Sequence, residues 1–232
     1  MLGLYIGIIL LLNIPYVQHR MSVLVAKELS TVLGSELTVG RINIGLLNRI
    51  IIDDLVLNDQ SGKELLKIGR LSAKFEILPL FSGKISIGNV QLFSFNANLE
   101  RPTPQASTNF QFVLDAFASK DTVKKKSDLD LRINSLLIRR GKVSYDVLSA
   151  ESTPGKFNPQ HIRLSNILAN ISLKALQNDS VNAAIKRMSV EEEHSGFELK
   201  KLSLKIIAND RKMRIENFAI DLPNTSLAMD TI

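Results

Sequence analysis

Residue types that could support catalysis or metal binding are few and scattered in this 232-residue chain. Asp53 and Asp54 are adjacent carboxylates that could form an acid–base pair or hold a metal ion. Adjacent strand residues point to opposite faces and no ligand cluster surrounds these two, so we interpret them as structural. His19, His161 and His194 are far apart, and cysteine is absent. We expect no catalytic residue, no metal, no cofactor and no enzymatic activity.

The composition favours a folded protein with an aliphatic interior. Hydrophobic residues make up 45% of the chain but aromatic residues only 6%, and tryptophan is absent. Aliphatic side chains of this kind suit β-strands and would also suit acyl chains. The net charge of +6 is not accompanied by a basic helix or by alternating aromatic and basic residues, so we expect no binding to nucleic acid.

The first 17 residues carry no charged side chain and contain a nearly unbroken aliphatic run. We interpret 1–17 as a transmembrane anchor whose true start lies upstream, because about 17 helical residues are slightly short for a bilayer. A cleaved signal peptide is the alternative, but a basic amino end and a small-residue cleavage site are both missing.

A helix is predicted over 18–34. Val17, Met21, Leu24, Val25, Leu29, Val32 and Leu33 recur at helical spacing, and Gly34 follows where a left-handed terminator is expected. This amphipathic helix either caps the first edge of a sheet or only packs on the nearest domain.

A strand pattern recurs eight times: two apolar residues in alternation, a two-residue gap, then two more in alternation. The copies span 50–57, 66–73, 85–92, 131–138, 162–169, 183–190, 197–204 and 213–220. The gap would turn the second half to the wrong face unless a β-bulge absorbs one residue and bends the strand. Alternatively, each gap is a tight turn between short strands of a sandwich.

Bent strands stacked side by side predict a mainly β fold, a long curved antiparallel sheet that forms an open hydrophobic groove. The groove would occupy 35–101 and 129–232, with a helical or linker insertion over 102–128. That insertion either plugs the groove or, as we prefer, covers a sheet edge. We expect acyl chains to contact Ile52, Leu55, Leu57, Ile85, Ile87, Val90, Leu92, Ile133, Leu136, Ile138, Leu164, Ile167, Leu202 and Leu204.

Several stretches resemble the amino-terminal region of AsmA-like proteins of the TamB type from Bacteroidota. They are ELTVGRINIG (36–45), LLNRIIIDDLVLND (46–59), LPLFSGKISIGNVQL (78–92), FQFVLDAFASKD (110–121), LDLRINSLLIRRGKVSYD (129–146) and TPGKFNPQHIRL (153–164). The resemblance covers most of the chain, in the family's order.

The resemblance implies a single-pass inner-membrane protein whose bulk lies in the periplasm as a hydrophobic β-groove. It implies phospholipid transport between membranes, outer-membrane protein assembly, or both, together with a TamA-like barrel bound through a carboxyl-terminal region beyond this chain. The sequence itself ends within a predicted strand, so we expect either a fragment of a longer protein or a last edge that is completed by something else. A scaffold that captures nascent outer-membrane β-strands by edge augmentation, without moving lipid, is equally compatible with the residues.

Overall fold

The computed structural model describes residues 3, 7, 10–45, 48–75, 85–117, 129–130, 134–177, 180–209 and 212–231. Strands dominate these residues, and two helices lie wholly within them, besides the helical residues 3, 7 and 10–12. The helices are α1 (Pro15–Leu33) and α2 (Gln111–Phe117). The strands are β1 (Leu37–Gly45), β2 (Arg49–Asn58), β3 (Glu64–Phe75), β4 (Ile85–Arg101), β5 (Leu129–Asp130), β6 (Ser135–Val147), β7 (His161–Gln177), β8 (Ser180–Glu192), β9 (Phe197–Asn209), β10 (Lys212–Leu222) and β11 (Thr225–Thr231).

Ten strands form one continuous sheet in the order β1-β2-β3-β4-β6-β7-β8-β9-β10-β11, and the short β5 pairs with β4 beside it. The mainly β prediction is confirmed, and the sandwich alternative is wrong for the described residues because these strands lie in one sheet. The sheet is not purely antiparallel, since β4 and β6 run parallel. Parallel neighbours need a long crossover, and the chain between β4 and β6 provides one.

The predicted β-bulges are confirmed in five strands. Gly88 has no partner on β3, and four residue pairs each lie opposite a single residue of the neighbouring strand. Those pairs are Asn166 and Ile167 in β7, Lys186 and Arg187 in β8, Lys200 and Lys201 in β9, and Asn217 and Phe218 in β10. Bulges bend strands, so the sheet is bent along these positions.

The two-residue gaps of β2 and β3 are accommodated differently. The register is the same on both sides of Asp54 and Gly69, so the bulges expected there are absent. Asp54 instead has a φ of 55° and faces Gly40 and Gly69 on the two neighbouring strands. A β-carbon on Gly40 would lie 3.0 Å from that of Asp54, so glycine is needed opposite the left-handed residue.

Further left-handed residues continue this line across the sheet. Ser94 in β4 (φ 54°) faces Gly69, and Arg140 in β6 (φ 55°) is next in register. Asn166 in β7 follows with a φ of 51°. The left-handed backbone conformation costs a residue other than glycine about 1–2 kcal/mol. Its recurrence in neighbouring strands therefore indicates a bend imposed by the whole sheet.

Helix α1 lies along the edge strand β1 and ends at Gly34, whose φ of 64° confirms the predicted left-handed terminator. Near its start, Asn13 Nδ2 donates to the carbonyl oxygen of Ile44 (2.8 Å). Near its end, Ser30 Oγ donates to the carbonyl of Leu37 (3.2 Å) and accepts from the Leu37 amide (2.9 Å). The 19-residue helix is about 28 Å long and the nine-residue strand about 30 Å, so α1 accompanies the full length of this edge.

The main buried apolar cluster joins α1 to the first strands. Leu33, Leu37, Leu57 and Leu65 form it, and Phe110, Phe112, Val113 and Ala116 from around α2 pack against them. In backbone contacts α2 meets α1, which lies along the edge strand β1, and its apolar side chains pack on the cluster that also includes Leu57 and Leu65 of β2 and β3. Edge covering by the insertion stays a prediction. The predicted anchor over 1–17 lies partly outside the described residues, among which no helix is both long and apolar enough to cross a bilayer.

Candidate functional site

Strand register brings apolar side chains from all ten strands to one side of the sheet, here named the apolar face. One row of paired residues crosses the whole sheet without a polar member. It consists of Ile42, Ile52, Leu71, Leu92, Ile138, Ala169, Met188, Leu202, Ile220 and Leu227. Since paired residues point to the same side, this face is apolar from one edge to the other.

A second row lies beside the first and is also entirely apolar. It runs over eight strands through Ile44, Ile50, Ala73, Val90, Leu136, Ile171, Ile185 and Leu204. The bend separates the first row from a third one, in which Leu55 pairs with Ile68 and Ile68 with Phe95. The two halves of each repeat therefore meet on one face, as the two-residue gap requires.

Most of the residues predicted to contact acyl chains lie on this face. Ile52, Leu92, Ile138 and Leu202 belong to the first row, Val90, Leu136 and Leu204 to the second, and Leu55, Leu57, Leu164 and Ile167 lie beyond the bend. Ile85 and Ile87 are in β4, but their side chains are outside the described part. Ile133 is outside the described residues altogether.

Burial divides the face into a closed part and an open part. Leu57 is only 3% exposed because it packs in the cluster beneath α1 and α2. Four residues further along the face are half-buried and have side chains of adjacent strands around them: Leu136, Ile138, Leu202 and Leu204. Since the described strands form a single sheet, no second sheet covers these residues there. The open part is therefore the stretch that could accept an apolar ligand.

The opposite side of the sheet, here the polar face, is charged along the bend. Asp53 and Asp54 both line one open depression of about 420 Å³ with Arg41 and Arg70. The expectation that they point to opposite faces is wrong, because the left-handed Asp54 places two consecutive residues on the polar face. Asp53 accepts from Arg70 Nε at 2.6 Å, so this carboxylate is engaged in an ion pair.

Two of the three histidines lie together where β6 and β7 meet neighbouring loops, with His194 Nδ1 3.3 Å from the His161 carbonyl oxygen. His161 Nδ1 lies 2.9 Å from Asp146 Oδ1, and its Nε2 lies 3.0 Å from the Ala150 carbonyl. Arg163 holds the other oxygen of Asp146 at 2.7 Å. The hydrogen bond to Asp146 and that to Ala150 raise the pKa of His161. Because both ring nitrogens face acceptors, neither is left to act as a base on a nucleophile.

A buried carboxylate organises the neighbouring β8–β9 turn. Glu192 is 2% exposed and accepts from Ser195 Oγ (2.5 Å), the Ser195 amide (2.7 Å) and the amides of Arg163 and His194 (3.2 and 3.3 Å). Burial opposes ionisation, but the hydrogen bonds outweigh it and lower the pKa of Glu192 to about 2. Ser195 is bonded to a carboxylate and not to a histidine, so the arrangement stabilises a turn and does not activate the hydroxyl.

Comparison with known proteins gives no match. No model of a protein family fits the sequence, and no curated protein is similar to it. Its family stays a proposal.

Proposed function

We propose that this chain is a non-enzymatic, inner-membrane-anchored envelope protein of the TamB and AsmA-like type, whose apolar face forms a periplasmic groove for phospholipid acyl chains. In this proposal it carries phospholipid between the inner and outer membranes, supports outer-membrane protein assembly, or does both. A TamA-like barrel would bind through a region beyond this chain.

The observation that carries the proposal is the uninterrupted apolar row across ten strands. A soluble single-layer sheet would ordinarily cover such a face with a second layer, because large exposed apolar patches mark interaction sites. Water exclusion is worth about 0.8 kcal/mol per methylene, so two exposed acyl chains cost more than about 20 kcal/mol. A face lined by Ile, Leu and Val removes much of that cost without needing a specific polar site.

The bend supports the same proposal. Left-handed residues or bulges recur in consecutive strands. In this proposal they bend each strand toward the apolar face, so that the three apolar rows line the inside of the groove. Acyl chains lying along the bend would contact the first and second rows on one side and the third on the other. Contacts from two sides bury more of a methylene chain than a flat surface does.

Photo-crosslinking in cells tests the conduit. A photoreactive residue replaces Leu136 or Leu202 on the open part of the apolar face, and Leu137 serves as the matched control. Leu137 is half-buried too, but it pairs with Asn170 on the polar face. Phospholipid adducts at Leu136 and Leu202, with none at Leu137, would support the proposal. Equal adducts at all three positions, or none, would contradict it.

An interaction scaffold is the second candidate, and the edge strand β11 favours it. Every residue of β11 is exposed, and its outer edge pairs with no described strand. Such an edge offers backbone donors and acceptors to an added strand from a nascent outer-membrane protein. Peptide adducts, and no lipid, at a photoreactive residue replacing Ala228 and at Leu202 would favour this candidate over the conduit.

A further inference from the structure

Helix α1 directs several of its apolar side chains away from the sheet. Leu24 is 60% exposed and Val32 57%, although their spacing predicts a buried stripe. The most buried positions of the helix include two polar residues, Gln18 and Ser22. A helix that packs on a domain in water normally has the opposite arrangement.

Hydrogen bonds to the edge strand β1 explain why α1 turns polar side chains toward the sheet. Gln18 Nε2 donates to Asn43 Oδ1 of β1 at 2.6 Å and to Asn13 Oδ1 at 3.2 Å. Together with the bonds from Asn13 and Ser30 to the β1 backbone, these contacts fix the rotation of the helix about its axis. The same rotation turns Leu24 outward and keeps it there.

The outward side continues an exposed apolar stretch. Half of the large apolar side chains that are exposed among the described residues lie between Leu10 and Val32, a stretch of only 23 residues. They are Leu10, Leu11, Ile14, Tyr16, Val23, Leu24 and Val32. Exposed apolar side chains concentrated in this way indicate a contact surface.

The polar residues on the outward side fit a lipid surface. Arg20 stacks over the Tyr16 ring at 5.5 Å, and its Nε donates to the tyrosine hydroxyl at 3.2 Å. Lys27 is exposed as well, with one carboxylate, Glu28, beside it. Tyrosine and cations flanking aliphatic side chains are typical of helices in the membrane–water interface. A bilayer also accepts Leu24 and Val23 without a complementary shape.

We infer that the outward side of α1, formed by Tyr16, Arg20, Val23, Leu24 and Lys27, lies in the interface of a lipid bilayer, parallel to its plane. This inference rests on the proposed membrane anchorage, and it identifies the surface of the protein that contacts lipid. Because α1 runs along β1, the arrangement holds the first edge of the apolar face at the level of the lipid headgroups.

Tryptophan fluorescence tests the inference without background, because the chain contains no tryptophan. The full chain carrying Leu24→Trp is reconstituted in phosphatidylcholine–phosphatidylglycerol vesicles with or without brominated acyl chains. The control is Leu148→Trp, which replaces a leucine of similar exposure (59%) in the turn after β6. We expect brominated lipid to quench Leu24→Trp several-fold more strongly than Leu148→Trp.

Equal quenching at both positions, or none at Leu24 in protein that floats with the vesicles, would overturn the inference. A second copy or another protein on this side would give a blue-shifted emission that brominated lipid does not quench, which also overturns it. If Leu24→Trp does not fold, Val23→Trp replaces it, because Val23 is on the same side of α1 and is 53% exposed. Quenching at Leu24 without lipid adducts at Leu136 would support the interfacial helix and refute the conduit. Lipid adducts at Leu136 without quenching at Leu24 would support the conduit and refute the interfacial helix.

Discussion

Glu192 offers the sharpest test of the network at the β8–β9 turn. Its pKa falls from 4.5 to about 2 on folding, which corresponds to about 3 kcal/mol at about 1.4 kcal/mol per unit. Glutamine keeps one acceptor oxygen for part of these hydrogen bonds, so we expect the substitution to remove only about 1–2 kcal/mol of this stabilisation. Glu192→Gln should lower the free energy of unfolding by that amount at pH 7.

The sign follows from the direction of the shift. A carboxylate with a lowered pKa stabilises the fold above pH 4.5 and loses this contribution as the pH falls toward about 2. The difference between the wild-type chain and Glu192→Gln should therefore shrink between pH 5 and pH 2. Urea unfolding followed by circular dichroism at pH 7, 5, 3 and 2 measures it.

Glu193→Gln is the matched control, because Glu193 is the adjacent residue in the same turn and is exposed. Its substitution should change the free energy of unfolding by less than about 0.5 kcal/mol at every pH. A Glu192→Gln deficit of the same size at pH 7 and pH 2 would refute the reasoning, since the loss would then come from packing and not from the charge.

Three further changes test other parts of the fold by urea unfolding. Leu65→Ala, in the fully buried position of the cluster, should cost about 2–5 kcal/mol, whereas Leu148→Ala should cost less than about 0.5 kcal/mol. Ser94→Val should cost about 1–2 kcal/mol because a β-branched residue is strained at a φ of 54°, and Ser94→Gly should not; equal effects would contradict the left-handed bend. His161, with its raised pKa, should stabilise the fold below pH 6.5 and lose this contribution as the pH rises, so His161→Gln should flatten the profile between pH 5.5 and 8.5.

Local alternation was enough to predict the strands and the side on which most candidate residues lie. Ile52 and Leu55 could be predicted to lie on one face, because both are apolar and the two residues between them are polar. Both features are visible in the sequence. The way each gap is accommodated was not predictable, because it depends on the neighbouring strand. Asp54 keeps its register only because Gly40 and Gly69 lie opposite, and residues this far apart carry no visible relation before pairing is known.

The rotation of α1 and the parallel pair β4–β6 were missed for related reasons. Helical spacing places Leu24 and Val32 in the buried stripe, but the helix meets the edge of a sheet, where polar groups such as those of β1 need hydrogen-bond partners. Gln18 and Ser22 occupy that side instead. The direction of β6 is set by the path of the crossover, and a strand pattern reads the same in either direction.

The in-register bend also determines how this sheet could change in length. The first apolar row continues through every antiparallel pair of the sheet, so adding or deleting a hairpin away from the parallel pair β4–β6 would leave that row continuous. One hairpin would alter the length of the apolar face by about 10 Å. Because α1 occupies the edge at β1, hairpins could be added within the sheet or at β11. The number of hairpins would then set the width of the apolar face across the strands.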